Sequence, residues 1–531
     1  MVRIQQRLAS SSPFGKALWP FGTALLMSLA CGLLIPLVRL DDRLALLFAV
    51  ATASILLWGW ILLRNRKGDL STAISSFAFI APVLAAVIVP PNEAGDTRNL
   101  MGVHFGVQGL LLSSMILYFL MLTGSPKNLR LGRNPHLQRG MLALALFAAF
   151  GFLDGVLHKN SFEYVISDAY KLLILLMVFA LVSTIPRYRI RTILYALYAG
   201  LVLAQLITLG KGLDVETPRY GSAFFADNLA LFLGSLGLIW LSKRRSSTWL
   251  GALGVLLALV VNTKMAYRAL FLAYLLAIGL VVAIDLVVMK RRGVQFASTR
   301  RLLIPLLTCS LVVVVFWISN PNAAESIVWR FRILAGDTVT DLSLEGRILE
   351  IETILNRFKQ GGVGTLLTGF GFGAQYELPP ASNIYMVRTY VLRDYRVHAI
   401  HAFYLAIPFR SGVVGSFLWL VFQVSVLLAL VSSFKKAIVL KDETGVLLTS
   451  WALLYFLLHS MLAIQIAVMD RDIPLAILVA LSGLYGADEP DYSCAISKRW
   501  NMLLQRDLLT LKCPPRRGNS TGQDHAADLL P

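Results

Sequence analysis

Apolar residues run along this chain in blocks mostly of about 18 or more, separated by short polar breaks. A block of that length can cross a hydrocarbon core of about 30 Å as a helix. The blocks fall near 17–39, 44–63, 70–90, 105–124, 141–157, 164–184, 193–210, 221–241, 248–262, 269–289, 302–319, 411–433, 444–466 and 473–487. The pattern predicts an all-α transmembrane bundle of about 12–14 spans carrying one long, partly helical outward loop.

The polar breaks alternate in character. The basic ones are "RNRK" (64–67), "PKNLRLGR" (126–133), "RYRIR" (187–191), "KRR" (243–245), "KRRGVQFASTRR" (290–301) and "KKAIVLK" (435–441). Every second loop is therefore basic, and Lys/Arg bias in short loops sets orientation. With Arg3, Arg7 and Lys16 ahead of the first block, both termini are placed in the cytoplasm. The expected organisation is a cytoplasmic N-terminus (1–16), eleven helices (17–319), a large outward loop (320–400), the last helices (401–487) and a polar, disordered cytoplasmic tail (488–531). "SLAC", ending at Cys31, lies inside an apolar run that continues past it, so the first helix is read as uncleaved.

Composition agrees. The 531 residues are 57% hydrophobic and 15% charged, against about 25% charged in soluble domains. The net charge of +19 resides in clusters between apolar blocks, which argues for membrane topology rather than a nucleic-acid partner. Cys31 and Cys309 fall in predicted spans and Cys494 and Cys513 in the tail, so no outward loop offers a cysteine for a disulfide.

Candidate chemistry concentrates on the outward side. The loop 320–400 is roughly eighty residues long, and a single long loop usually has a function. Within it "LEGRILEIETILNRF" (344–358) has helical apolar spacing. "GGVGTLLTGFGFGAQY" (361–376) is read as a flexible, turn-rich stretch over the membrane surface, without the Gly-Lys-Ser/Thr ending of a phosphate loop. Arg219 precedes the block at 221–241, Arg268 stands at a short outward turn, and Arg347 opens the loop helix. His398 and His401 lie where the loop returns to the membrane. Singly, each arginine is explained by snorkelling at a helix end, and a lone interfacial histidine by a structural role. Together they suit an anionic ligand, because guanidinium holds phosphate oxygens in a two-pronged fork and never loses its charge. A histidine beside them could take a proton from an attacking hydroxyl, and neighbouring cations favour its neutral ring.

Two histidines three apart also invite a metal. Zinc takes three or four ligands, however, and this stretch adds only Asp394, so no metal or other cofactor is expected. Inside the spans, Asp168 and Lys171 are costly in lipid and must face the bundle interior. They either neutralise each other one turn apart or line a substrate cavity. Asp227 and Asn228 invite the second reading, whereas Asp285 lies towards the inner face and is read as structural.

At these residues the chain resembles the O-antigen ligase / O-antigen polymerase family of bacterial inner-membrane proteins. The likeness covers roughly 190–435. It rests on "RYGSAFFADNLA" (219–230), "TKMAYRALFLAYL" (263–275), a loop that opens near Gly346 and Arg347 and contains "GFGFG", and the closing "HAFYLAIPFRSGVVG" (401–415). Ala402 stands where the family usually has asparagine, and Arg410 where an acidic or small residue is commoner.

The resemblance implies a metal-independent glycosyltransferase at the periplasmic face of the inner membrane. Its donor would be an undecaprenyl-diphosphate-linked oligosaccharide and its acceptor a glycan or lipid hydroxyl, in surface polysaccharide biosynthesis. On matching positions, Arg268 and Arg347 would bind the diphosphate and stabilise its departure, and His401 would orient or deprotonate the acceptor. Arg219 would be a further phosphate or structural contact. A transporter or flippase for lipid-linked sugars or anions is the alternative. It calls for paired broken helices and charges at the midplane, whereas these candidates crowd one surface.

Overall fold

A computed structural model describes residues 70–88, 134–210, 222–241, 245–265, 268–289, 299–319, 342–377, 396–397, 403–462 and 473–486, all within one compact unit, Met1–Ala487. Apart from a two-residue antiparallel ladder, its regular structure is helical. The helices are α1 (Leu70–Ile88), α2 (Pro135–Leu157), α3 (Phe162–Val182), α4 (Ile190–Gly210), α5 (Ser222–Leu241), α6 (Arg245–Met265), α7 (Arg268–Ala283), α8 (Thr299–Ser319), α9 (Leu342–Thr368), α10 (Phe403–Val439), α11 (Glu443–Leu462) and α12 (Ile473–Gly486). Eleven of the expected blocks coincide with described helices. Those at 17–39, 44–63 and 105–124 lie outside the described residues.

Local chemistry sets the helix ends. Pro135 occupies the first turn of α2, where its missing N–H has no partner to lose, and the Asn134 side chain caps that turn by accepting from the His136 N–H at 2.9 Å. Among the described residues, four helical stretches are long and apolar enough to cross a membrane: Pro135–Leu157, Arg187–Gly210, Ser246–Thr263 and Leu405–Val439. Their outward-turned leucines and phenylalanines, among them Leu146, Leu153, Leu253, Phe417 and Leu420, are exposed on the bundle. An apolar exterior on this scale fits lipid as the surrounding solvent, so the chain is a helical membrane protein.

Hydrogen bonds between helix termini sort the two ends of the bundle. At one end, Asn134 donates to Ser432 at 3.2 Å, Arg187 Nε to the Leu484 carbonyl at 2.9 Å, and Tyr485 to Asp442 at 2.6 Å. Trp240 donates to Asp285 at 3.1 Å at that same end, where the basic loops fall, which suits the structural role read for Asp285. The loops 158–161 and 369–375 and the start of α10 occupy the other end.

Small residues permit close crossings, as expected where lipid offers helices no hydrophobic drive to associate. At the α1–α4 crossing, a methyl group on Gly200 would lie 2.4 Å from the Phe79 carbonyl oxygen, whereas one on Gly210 would meet nothing within 4 Å. Gly200→Ala is expected to lower stability by about 1–3 kcal/mol, with Gly210→Ala near neutral, read as thermal unfolding midpoints of the detergent-solubilised protein.

Candidate functional site

The segment "GFGFG" (369–373) leaves the end of α9 and enters the bundle rather than lying over its surface. Its phenylalanines alternate between two cores. Phe372 reaches Phe147 of α2 edge-on, with ring centroids 5.6 Å apart. Phe370 packs on Phe409 of α10 at 4.8 Å, and the Arg357 guanidinium stands 4.6 Å from the Phe370 centroid. The glycines let backbones touch. Gly371 has φ +79°, and a methyl group there would lie 2.5 Å from the Gly155 Cα. Gly412, at φ +58°, breaks α10 where the Leu367 carbonyl crosses it.

Buried backbone needs partners, and here they come from distant parts of the chain. The Phe370 N–H donates to the Phe409 carbonyl at 2.8 Å and the Phe372 N–H to the Gly151 carbonyl at 3.0 Å. Asn160, in the turn between α2 and α3, donates its amide to the Phe370 and Phe372 carbonyls at 2.7 and 2.9 Å. The Gly373 N–H donates to Asp168 Oδ2 at 2.9 Å, and Asp168 Oδ1 accepts from Arg410 at 3.0 Å. Both side chains of that ion pair are buried. One carboxylate thus joins α3, the glycine loop and α10.

A second buried carboxylate lies nearby. Tyr376 donates to Glu350 at 2.6 Å, and Glu350 has no exposed surface. Burial, then the negative charge of Glu350 and the hydrogen bond to it, push the Tyr376 phenol far above its ordinary range, with Arg410 acting in the opposite sense. The phenol therefore stays protonated and donating at any physiological pH. Burial lowers the Arg357 pKa, and Glu377 opposes the shift. A small core of Ile354, Ala374, Tyr376, Ala406 and Phe409, with Leu349, Phe358, Phe370 and Leu405 against it, seals α9 to the start of α10. The ladder pairing Tyr376 with Val397 and Glu377 with Arg396 brings the two ends of 378–395 together beside that core.

The sequence candidates divide accordingly. Asp168 pairs with Arg410, and the structure gives Arg410, singled out above as a departure from the family pattern, an intramolecular carboxylate. Asn228 belongs to a different cluster. It donates to Gln205 at 3.0 Å and to the Ala258 carbonyl at 3.1 Å, and accepts from Tyr274. These contacts cross-link α4, α5, α6 and α7. Arg268 is the first residue of α7 and Arg347 stands in the second turn of α9. The side chains of Lys171, Arg268 and Arg347, together with residues Arg219, His398 and His401, lie outside the described residues. Asn160, Glu350 and Tyr376 were not anticipated. The signal for Asn160 was weak, being one asparagine in a short turn, and Glu350 lay off the apolar stripe of its own helix, where a solvated carboxylate would also stand.

No protein-family model matches the chain, and no curated protein matches it significantly.

Breaking a buried ion pair by removing one member costs about 3–5 kcal/mol. Asp168→Asn and Arg410→Ala should each lower the unfolding midpoint by that order, while Asp168→Leu combined with Arg410→Met should lose less than either. Asn160→Asp, which cannot donate to two carbonyls, should be as harmful as Asn160→Ala. Thermal unfolding in detergent reads all five.

Proposed function

We propose that the chain transfers a glycan from a polyprenyl-diphosphate-linked donor to an acceptor sugar hydroxyl at the membrane face opposite the basic loops. In a bacterium this is the periplasmic face of the inner membrane, and undecaprenyl diphosphate is the lipid carrier. The reading is supported above all by the small core that joins α9 to α10. Leu349, two residues after Arg347, and Leu405, four residues after His401, pack against the same buried residues. A proposed phosphate ligand in α9 and a proposed base two residues ahead of α10, far apart in the chain, thus flank two helices that pack together. Arg268 begins α7 at the same end of the bundle.

The chemistry follows from these roles. The acceptor oxygen attacks the anomeric carbon from the side opposite the diphosphate, so configuration inverts. The bond from that carbon to the phosphate oxygen breaks, and its electron pair leaves on the polyprenyl diphosphate. Arg268 and Arg347 hold the departing anion, whose charge grows in the transition state. His401 receives the hydroxyl proton as the new bond forms. Arg219 adds a further phosphate or structural contact. The buried pair Asp168–Arg410 holds the glycine loop and α10 in register behind the site rather than touching the donor.

Purified protein given a polyprenyl-diphosphate oligosaccharide and an acceptor glycan should release polyprenyl diphosphate. His401→Ala and Arg347→Ala should each slow release by about a hundredfold or more without lowering the unfolding midpoint. Undiminished release in both variants would refute the assignment. Movement of intact donor across proteoliposomes without release would favour transport instead.

A further inference from the structure

The glycine-rich segment after Lys359 has chemistry that a surface loop would not need. From residue 360 to residue 376 there is no charged side chain. Gly362, at φ +74° and ψ −171°, breaks α9, and the helical stretch beyond it presents Val363, Leu366 and Leu367 at 74, 52 and 47% exposure. Thr365 and Thr368 return their hydroxyls to the helix's own carbonyls, at Gly361 (2.8 Å) and Gly364 (3.3 Å). That arrangement leaves neither hydroxyl in need of water, as a hydrocarbon surrounding requires.

The return strand sits deep. Phe372 bonds to Gly151, six residues or about 9 Å along the helix from the end of the span Pro135–Leu157. Phe370 bonds to Phe409, within the span Leu405–Val439. Irregular backbone at membrane depth is tolerated only where protein or water satisfies it. Here the N–H groups of residues 369, 370, 372, 373 and 374 and the carbonyls of Phe370 and Phe372 all have protein partners. Just past the crossing of Leu367 with Gly412, the exposed Val413, Val414 and Phe417 of α10 continue the same apolar surface onto a membrane span.

We propose that residues 361–376 form a re-entrant segment. The helical stretch 363–368 lies among the phospholipid acyl chains of the leaflet opposite the basic loops, and the chain returns through 369–375 inside the protein. Val363, Leu366 and Leu367 make the lipid contact, and Lys359 marks the point where the segment leaves water. The arrangement is independent of the glycan chemistry proposed above.

Site-directed spin labels test it in the full-length chain, with Cys31, Cys309, Cys494 and Cys513 replaced by alanine and the protein reconstituted into phosphatidylethanolamine–phosphatidylglycerol vesicles. Labels at Val363→Cys and Leu366→Cys should collide several-fold more with oxygen, which concentrates in hydrocarbon, than with a water-soluble nickel chelate. A label at Lys359→Cys should show the reverse. Nickel-chelate preference at 363 and 366 would overturn the proposal. So would low access to both agents with dipolar broadening between labels, because a second copy of the chain would then cover the surface. Only variants retaining the parent unfolding midpoint are read, and two label sites keep the test open if one misfolds.

Discussion

The carboxylate of Asp168 is the constraint on which one end of this bundle depends. Its two oxygens serve two different masters, the Arg410 guanidinium and the Gly373 N–H, and all three groups are buried. A carboxylate or a guanidinium buried in a lipid-embedded bundle is costly, so each requires an opposite charge. Because Asp168 is on α3 and Arg410 on α10, meeting that requirement draws the two helices together with the glycine loop between them. Removal of either charge takes away the ion pair that joins the two helices, which gives the contact a directional hold that apolar packing alone lacks.

The rest of the end follows from that anchorage. Glycine at 371 and 412 removes the side chains that would hold the loop away from α2 and α10, and Asn160 satisfies the carbonyls this close approach would otherwise orphan. Phe370 and Phe372 then fill two separate cores, so the loop is packed on both sides. Tyr376 and Glu350 continue the polar thread into α9, the helix that carries Arg347. The result is a rigid platform, and a rigid platform is what group transfer requires, since small misplacements of catalytic groups cost large factors in rate. The proposed lipid-embedded stretch 363–368 begins from this platform and would place it at the depth where a diphosphate attached to a lipid must arrive.

Much of the helical framework was legible in the sequence because its determinants are local. An apolar block of adequate length and the Lys/Arg content of the next break need no knowledge of the fold, and the described helices fall on the blocks. The partners of the glycine loop were not legible. Asn160 meets Phe370 and Asp168 meets Arg410 across more than two hundred residues, and no periodicity links such pairs. The sequence offered Asp168 two readings, neutralisation by Lys171 one turn on or a place in a substrate cavity, and neither pointed to Arg410. A different rule would have found the observed partner: Arg410 was an isolated cation in an apolar run at the same end of the bundle, and two opposite charges that cannot remain alone in lipid should be tried together. "GFGFG" suggested flexibility from its composition, yet the same glycines are what allow it to be clamped.

The central claim is that the glycine loop is a fixed, internally bonded part of the membrane bundle and that Asp168 fixes it. Hydrogen exchange on the full-length protein in lipid nanodiscs, followed by mass spectrometry on peptides covering 369–377, measures this directly. The account predicts exchange as slow as in α2 and α10 for the parent chain, with protection lost over this segment, ahead of the helices, in Asp168→Asn. Exchange at the rate of an exposed, unstructured turn in the parent chain would contradict it.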